Sequence, residues 1–181
     1  MRVLLYDSTD KLSIWWSAGR RLARWDLVVA ARSWEDAIAQ IEALDAPVSH
    51  LQFWGHGAPG APLIDGVPLG LGKRLDHFVE ACRFRPRSVV WWRACDVFSG
   101  ERGQRFAVRF CEVAGCGHAG HTRVVSAPWP IYQSGGHGLR PGRDPHWRVD
   151  EGEDDGDGSG PFKPNTCLVT RMTIPRRWWS T

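Results

Sequence analysis

The chain is predicted to fold as an α/β domain, a mostly parallel central sheet covered by helices on both faces. Short apolar runs alternate along the sequence with segments whose apolar residues recur at helical spacing. This alternation is typical of parallel sheets joined by helical crossovers. The run Ser88-Val89-Val90-Trp91-Trp92 is nearly continuous in its apolar character, which suits a strand buried on both sides. With 181 residues, 43% of them hydrophobic, the chain is predicted to form a single domain over residues 1–181.

Each predicted element has a local signal. Ser33, with Asp36 three residues later, is a helix N-cap signal, and Pro47 separates that helix from the next strand. Asp65-Gly66 between apolar residues indicates a tight hairpin. The predicted strands are residues 3–6, 27–31, 48–54, 87–94 and 123–127, and the predicted helices are residues 13–25, 34–44, 71–82 and 100–113. In the first of these helices, Ile14, Ala18, Leu22 and Trp25 form the apolar face.

The last third of the chain has a different composition. Residues 128–161 are rich in Gly, Pro, Asp and Arg without periodicity and are predicted to be one long loop. Residues 166–174 alternate in polarity and are predicted to be the final strand.

Composition excludes some classes of function. The formal net charge of +3 gives no argument for nucleic acid as a partner. No apolar run is long enough for a membrane span, and the apolar stretch near the start is too short for a signal peptide. The five cysteines are scattered, unlike a secreted disulfide framework, so a cytoplasmic location is expected.

Two predicted strands end at reactive side chains. Residues 51–54 lead to Gly55-His56-Gly57, and residues 89–94 lead to Cys95. Functional groups of α/β proteins gather where parallel strands end, so a thiolate–imidazole dyad is one interpretation. Gly57 and Cys95 could supply backbone N–H groups to an oxyanion. Taken alone, a cysteine at such a place is more often a small buried hydrophobe, and a histidine before glycine more often a turn residue.

Two segments carry a resemblance to a known clan. The first is His56-Gly57-Ala58-Pro59-Gly60, and the second runs from Ala94 to Phe106, with Cys95-Asp96-Val97 followed by Gly100-Glu101-Arg102-Gly103. They resemble the caspase-like cysteine peptidases, most closely a caspase-like domain of large bacterial surface proteins. That domain has a His-Gly-Ser-Pro-Gly turn, and a Gly-Cys-Asn-Val strand end before a Gly-Glu-x-Gly-x-x-Phe helix. The resemblance covers roughly residues 1–129, and the chain departs from it at Ala94 and at Trp54-Gly55.

The resemblance implies a caspase-like three-layer sandwich in which His56 is the catalytic histidine and Cys95 the nucleophile. It also implies a pocket for a charged residue before the scissile bond. Acidic candidates for a basic-preferring pocket are Asp7, which could equally cap a turn, and Asp96 beside the nucleophile. Ser126 and Trp129 are expected in the pocket wall. Arg140, Arg143 and Arg148 are candidate self-cleavage sites in the long loop.

A rival group of potential ligands lies downstream. A Gly-rich segment with the composition of a turn contains or adjoins two cysteines and two histidines, Cys111, Cys116, His118 and His121. Such side chains could hold a structural zinc ion. Their spacing matches no established zinc pattern, so no cofactor is expected. Residues 150–158 contain six acidic and no basic residues, which could bind Ca²⁺ or form a solvated loop.

The sequence therefore predicts a cysteine endopeptidase whose partner is a protein or peptide substrate, without nucleic acid or membrane. Two alternatives stay open. One is a catalytically silent caspase-like domain that binds or regulates, using a groove lined by some of the eleven tryptophans. The other is a zinc-braced binding protein. The sequence carries no signal for the oligomeric state.

Overall fold

A computed structural model shows an α/β fold built on a mixed, mostly parallel six-stranded sheet. It describes residues 1–11, 13–21, 23–123, 132–133, 135–144, 146–147, 167–168, 174 and 176–179. The helices are α1 (Ser13–Ser17), α2 (Trp34–Glu42), α3 (Lys73–Cys82) and α4 (Gly100–Ala114), with 3₁₀ turns at Ala18–Arg21 and Arg176–Trp178. The strands are β1 (Arg2–Asp7), β2 (Leu27–Ala31), β3 (His50–Trp54), β4 (His56–Ala58), β5 (Ala61–Ile64), β6 (Val67–Pro68), β7 (Val89–Arg93), β8 (Gly117–His121), β9 (Tyr132–Gln133), β10 (Gly136–Leu139) and β11 (Cys167–Leu168).

The main sheet has the strand order β10-β8-β7-β3-β1-β2. Strands β2, β1, β3, β7 and β8 are parallel, and β10 closes one edge as an antiparallel strand. The chain moves outward from β1 to β2, then crosses back to β3 on the other side of β1. The strand order therefore reverses between β1 and β3, and such a switch point opens a crevice at the carboxyl ends of the strands.

The two faces of the sheet are packed differently. The largest core cluster joins one face of the sheet to α2, α3 and α4, with Trp34, Phe78 and Phe110 among the helix residues and Phe53 and Trp92 among the strand residues. The other face carries two smaller clusters, around Leu4, Tyr6 and Trp54 and around Trp91, Ala119, Ile174 and Trp178. In the described part of the chain the three longer helices thus share one face.

Several elements form where local signals predicted them. Ser33 caps α2, and its hydroxyl accepts a hydrogen bond from the Asp36 N–H. Asp65 and Gly66 both have positive φ, 51° and 69°, as a two-residue hairpin between β5 and β6 requires. The Trp34 indole N–H donates to the Val67 carbonyl at 2.8 Å, which fastens this hairpin to α2.

The fifth parallel strand lies earlier than predicted. It is β8, Gly117–His121, so the prediction of a Gly-rich turn there was wrong. In the strand predicted at 123–127, Arg123 lies in a bend, and residues 124–127 are outside the described residues. The glycines of β8 make room for aromatic rings. A Cβ on Gly120 would lie 2.7 Å from the Phe98 ring, and one on Gly117 would contact Trp179. The small residues are therefore a packing requirement of a buried strand.

Two further predictions differ from the structure. The segment predicted as one long loop at 128–161 contains β9 and β10, and β10 belongs to the main sheet because it pairs with β8. Within the predicted final strand, Cys167–Leu168 pair with β9, while 166, 169–173 and the acidic stretch 150–158 lie outside the described residues. The first helix is short, and Ile14 is 71% exposed instead of buried.

Among the described residues, no helix combines the length and the apolar character needed to cross a membrane.

Candidate active site

The candidate site lies where β1, β3 and β7 end side by side. Tyr6 of β1 pairs with Trp54 of β3, and Trp54 pairs with Arg93 of β7, so the three chains leave the sheet at the same level. His56 follows β3 by two residues and Cys95 follows β7 by two residues. The topology therefore brings both predicted residues to the crevice beside the switch point.

Cys95 lies in a tight turn that backbone hydrogen bonds hold in place. It is partly buried. The next residue, Asp96, has a φ of 53°, a left-handed conformation that Asp, Asn and Gly adopt most readily. The Asp96 N–H donates to the Arg123 carbonyl at 3.2 Å, and the Phe98 N–H donates to the His121 carbonyl at 2.9 Å. These bonds tie the Cys95 turn to the end of β8.

The helix behind Cys95 explains part of the second motif. A Cβ on Gly103 would lie 2.2 Å from the Phe98 carbonyl carbon, so only glycine allows α4 to start this close to the turn. Phe106, one turn further along α4, is fully buried and packs edge-on against Trp92, with ring centroids 5.7 Å apart. The motif therefore positions the turn that carries Cys95.

Gly57 joins the histidine segment to the cysteine turn. A Cβ at this position would lie 2.2 Å from the Cys95 carbonyl oxygen and 2.9 Å from a Val97 methyl group. Nearby, the Gly60 N–H donates to the Val97 carbonyl at 3.2 Å. The backbone next to His56 thus runs in direct contact with the backbone of Cys95, and no side chain fits between them.

His56 points toward an acidic partner that the sequence did not indicate. Its Nε2 lies 3.4 Å from Oδ2 of Asp10, in the loop after β1. The two side chains are 47% and 36% exposed, so the pair lies at the rim of the crevice. The signal that could have revealed Asp10 is its position just after the end of a core strand, but its partner is 46 residues away and no spacing rule connects them.

Asp7, for which the sequence allowed a substrate-binding role or a turn cap, is buried and makes the contacts of a turn cap. Its Oδ1 accepts hydrogen bonds from the N–H and the hydroxyl of Thr9, at 2.9 and 2.7 Å. Its Oδ2 accepts one from the Asp65 N–H at 3.1 Å. Asp96 follows Cys95 in the same turn, while Ser126 and Trp129 lie outside the described residues.

The residues proposed as zinc ligands are buried in the core. His118 uses both ring nitrogens within the protein: Nδ1 accepts from the Trp92 indole at 3.2 Å, and Nε2 donates to the Ala107 carbonyl at 2.8 Å. The Cys111 thiol lies 3.6 Å from the Cys116 carbonyl. His121 packs against Trp178, with ring centroids 5.0 Å apart. The part of the chain that the structure describes contains no group of three or more side chains placed to hold a metal ion.

Burial also sets the protonation of this core group. It raises the pKa of Cys111 to about 11, helped by Glu112, and the pKa of Cys116 to about 12, helped by Cys111. Burial lowers the pKa of His118 to about 3. All three side chains are therefore neutral near pH 7, as packing residues should be.

Most described tryptophans fill the core instead of lining a cleft. Five of them are almost completely buried: Trp34, Trp54, Trp91, Trp92 and Trp178. Trp54 and Trp91 enclose the buried Arg93 guanidinium, whose carbon lies 4.1 and 4.5 Å from the two ring centroids. A surface groove of about 510 Å³ runs beside α4, where Leu71, Val108 and Trp147 supply its apolar part.

Comparison of the chain with protein-family models, with curated proteins and with solved structures finds no match.

Proposed function

We propose that the chain is a cysteine endopeptidase of caspase-like type, with Cys95 as the nucleophile and His56 as the proton carrier. The observation that carries the proposal is the backbone contact at Gly57. It holds the histidine segment against the cysteine turn, at the crevice where an α/β protein binds its ligands. The hairpin of β5 and β6, between the histidine strand and the next helix, also fits the architecture that the resemblance implies.

The proposed reaction uses these groups in sequence. The Cys95 Sγ attacks the carbonyl carbon of the scissile peptide bond while His56 takes the thiol proton. The carbonyl oxygen becomes an oxyanion, for which the N–H groups of Gly57 and Cys95 are the proposed donors. His56 then protonates the leaving amine as the C–N bond breaks. Water, deprotonated by His56, hydrolyses the thioester and regenerates the thiol.

The proposed preference is for cleavage after Arg or Lys. The Asp96 carboxylate lies on the residue that follows Cys95. A cationic side chain bound before the scissile bond would gain from this charge. Arg140 and Arg143 are exposed, which makes them candidates for self-cleavage; Arg148 is outside the described residues.

The test is cleavage of a fluorogenic peptide library that varies the residue before the scissile bond. Cys95→Ala and His56→Ala should each lower kcat/KM at least about 1000-fold, because the members of a nucleophile–base pair act as a unit. The free energy of unfolding of each variant should lie within about 1 kcal/mol of that of the parent chain, since neither side chain is a core residue. Mass spectrometry of the parent chain and of Cys95→Ala would also reveal self-cleavage.

His77→Ala is the matched control. Its ring pairs with Glu42 at 2.8 Å on an exposed surface, as His56 pairs with Asp10, but it lies on α3 and not at the strand ends that carry the dyad. His77→Ala should cleave at the parent rate. Cleavage that persists in Cys95→Ala would show that the proposed nucleophile is wrong.

A second candidate is a catalytically silent binding domain, favoured by the groove beside α4. Its lining combines two acidic and two basic side chains with apolar ones: Glu101, Glu112, Arg105, Arg109, Leu71, Val108 and Trp147. A parent chain that cleaves no peptide, and whose Cys95 reacts no faster with an alkylating agent than the cysteines of the unfolded chain, would favour this function.

A further inference from the structure

The loop after β1 reaches the site from the far side of the switch point. Residues 8–11 leave the sheet next to β3, because β1 and β3 are neighbours in register. The contact that results is the one between the Asp10 carboxylate and Nε2 of His56, 3.4 Å apart. Asp10 therefore approaches the imidazole from a segment separate from the one that carries Cys95.

The loop is held at several points before it reaches His56. The Ser8 N–H and hydroxyl both donate to the Ala31 carbonyl at 2.9 Å. Thr9 is fixed by its two hydrogen bonds to the buried Asp7 carboxylate. The Ser13 N–H, at the start of α1, donates to the Asp10 carbonyl at 3.0 Å. A carboxylate on a loop fixed on both sides is well placed to orient another side chain.

We infer that Asp10 is a positioning residue for His56, an inference that rests on the proposed peptidase function. A carboxylate that accepts a hydrogen bond from Nε2 favours the tautomer with its proton on Nε2, which makes Nδ1 the nitrogen that exchanges protons with the Cys95 thiol. The same carboxylate stabilises the imidazolium that forms when the thiol is deprotonated. Asp10 touches neither the thiol nor the peptide in this mechanism; it acts through His56.

The experiment uses the full chain with Asp10→Asn, Asp10→Ala and Asp10→Glu. Asp10→Asn should lower kcat roughly 10-fold with KM unchanged, less than the loss at a buried triad carboxylate because this pair is partly exposed. Asp10→Glu should recover part of kcat. The matched control is Glu42→Gln, which removes the carboxylate from the equivalent exposed pair with His77 and should leave kcat unchanged.

A second measurement does not need a substrate. The rate of alkylation of Cys95 by iodoacetamide, followed by peptide mass spectrometry, reports the thiolate that the imidazolium stabilises. It should fall about 3-fold in Asp10→Asn and by at least as much in His56→Ala, and it should not change in Glu42→Gln. If Asp10 had a purely structural role, Asp10→Asn would change the free energy of unfolding but would leave the alkylation rate of Cys95 equal to that of the parent chain.

The outcomes separate this inference from the proposed function. Cleavage that survives in Cys95→Ala overturns the peptidase whatever Asp10 does. Loss of cleavage in Cys95→Ala, with kcat and alkylation in Asp10→Asn within twofold of the parent chain, overturns only the role of Asp10. A rise in KM confined to substrates with Arg or Lys would also overturn it, because Asp10 would then contact the substrate. If the parent chain cleaves no peptide, the alkylation rates alone decide whether Asp10 acts on Cys95 through His56.

Discussion

Two neighbourhoods of the molecule combine histidine with cysteine, and they have opposite environments. At the ends of β3 and β7, His56 is half-exposed and Cys95 only partly buried. One strand further along the sheet, Cys111, Cys116 and His118 are enclosed between α4 and β8. The rim histidine meets a charged carboxylate, whereas the ring nitrogens of the core histidine meet an indole and a backbone carbonyl.

Surroundings, not residue type, separate the two neighbourhoods. In sequence the downstream group looked like a ligand set, because four Cys and His residues lie within eleven positions. In the fold, burial keeps both of these thiols and the His118 imidazole neutral, and the His118 ring packs against Phe98 and Phe110. The rim pair keeps access to solvent.

The largest expected difference between the two neighbourhoods is thiol reactivity. Near pH 7.5, iodoacetamide should modify Cys95 at least about 1000-fold faster than Cys116, because a thiol with a pKa of about 12 has almost no thiolate at that pH and this one is also buried. Cys111 should be similarly slow. Peptide mass spectrometry gives the rate at each cysteine. In concentrated guanidinium the three cysteines should react at similar rates. Comparable alkylation rates at Cys95 and Cys116 in the folded chain would contradict the expected difference between the two neighbourhoods.

The next largest difference is in stability. His118→Ala should lower the free energy of unfolding by about 3–5 kcal/mol, because it leaves a cavity and removes the partners of the Trp92 indole and the Ala107 carbonyl. His56→Ala should cost under about 1 kcal/mol, since an exposed ion pair contributes little. Urea unfolding measures both. If the alanine variant does not fold, His118→Gln, which retains a donor and an acceptor, replaces it in the measurement. Equal losses in the free energy of unfolding at His118 and His56 would refute the assignment of His118 to the core.

The smallest of the three effects is a pH dependence of stability. Burial lowers the pKa of His118 to about 3 in the folded chain. The pKa of His50 is lowered to about 4, first by burial and then by the charge of Arg2. Below about pH 6.5 the unfolded chain binds protons that the folded chain does not, so stability falls as pH falls. From pH 6.5 to 5 the loss should be about 2 kcal/mol for His118.

Urea titrations at several pH values check this dependence. His118→Gln should be less sensitive to pH than the parent chain by the contribution of one proton. A parent chain whose stability is flat over this range would show that His118 is not held neutral by the fold.

Features set by neighbouring residues could be predicted from the sequence. The cap at Ser33 and the hairpin at Asp65-Gly66 depend on side chains and dihedral angles within a few positions, and both form. Strand β8 was missed because Gly117, Gly120 and their histidine neighbours have the composition of a turn. These residues form a strand because they pair with β7 and β10, and the Phe98 and Trp179 rings leave room only for small residues at the two glycines.

The site shows the same division. Its two strand ends could be anticipated, because apolar runs that stop at reactive residues are visible in the sequence. The contact of Asp10 with His56 and the enclosure of the Asp7 carboxylate could not, since each depends on how β1 lies beside β3 and the hairpin. The physical reason is that both are long-range contacts without a periodic signal.

The outermost strand has a consequence for biosynthesis. β10 carries glycines against which Trp178 and Trp179 pack; a Cβ on Gly136 would lie 2.6 Å from Trp178, and Gly138 forms a bridge with Trp179. The cover of this edge is thus translated well after the edge itself. A nascent chain that has emerged only as far as β10 presents an open strand, the kind of edge that pairs with other chains. The bridge to Gly138 can form only once Trp179 has been translated, so a ribosome that pauses between the two segments leaves this edge open for longer.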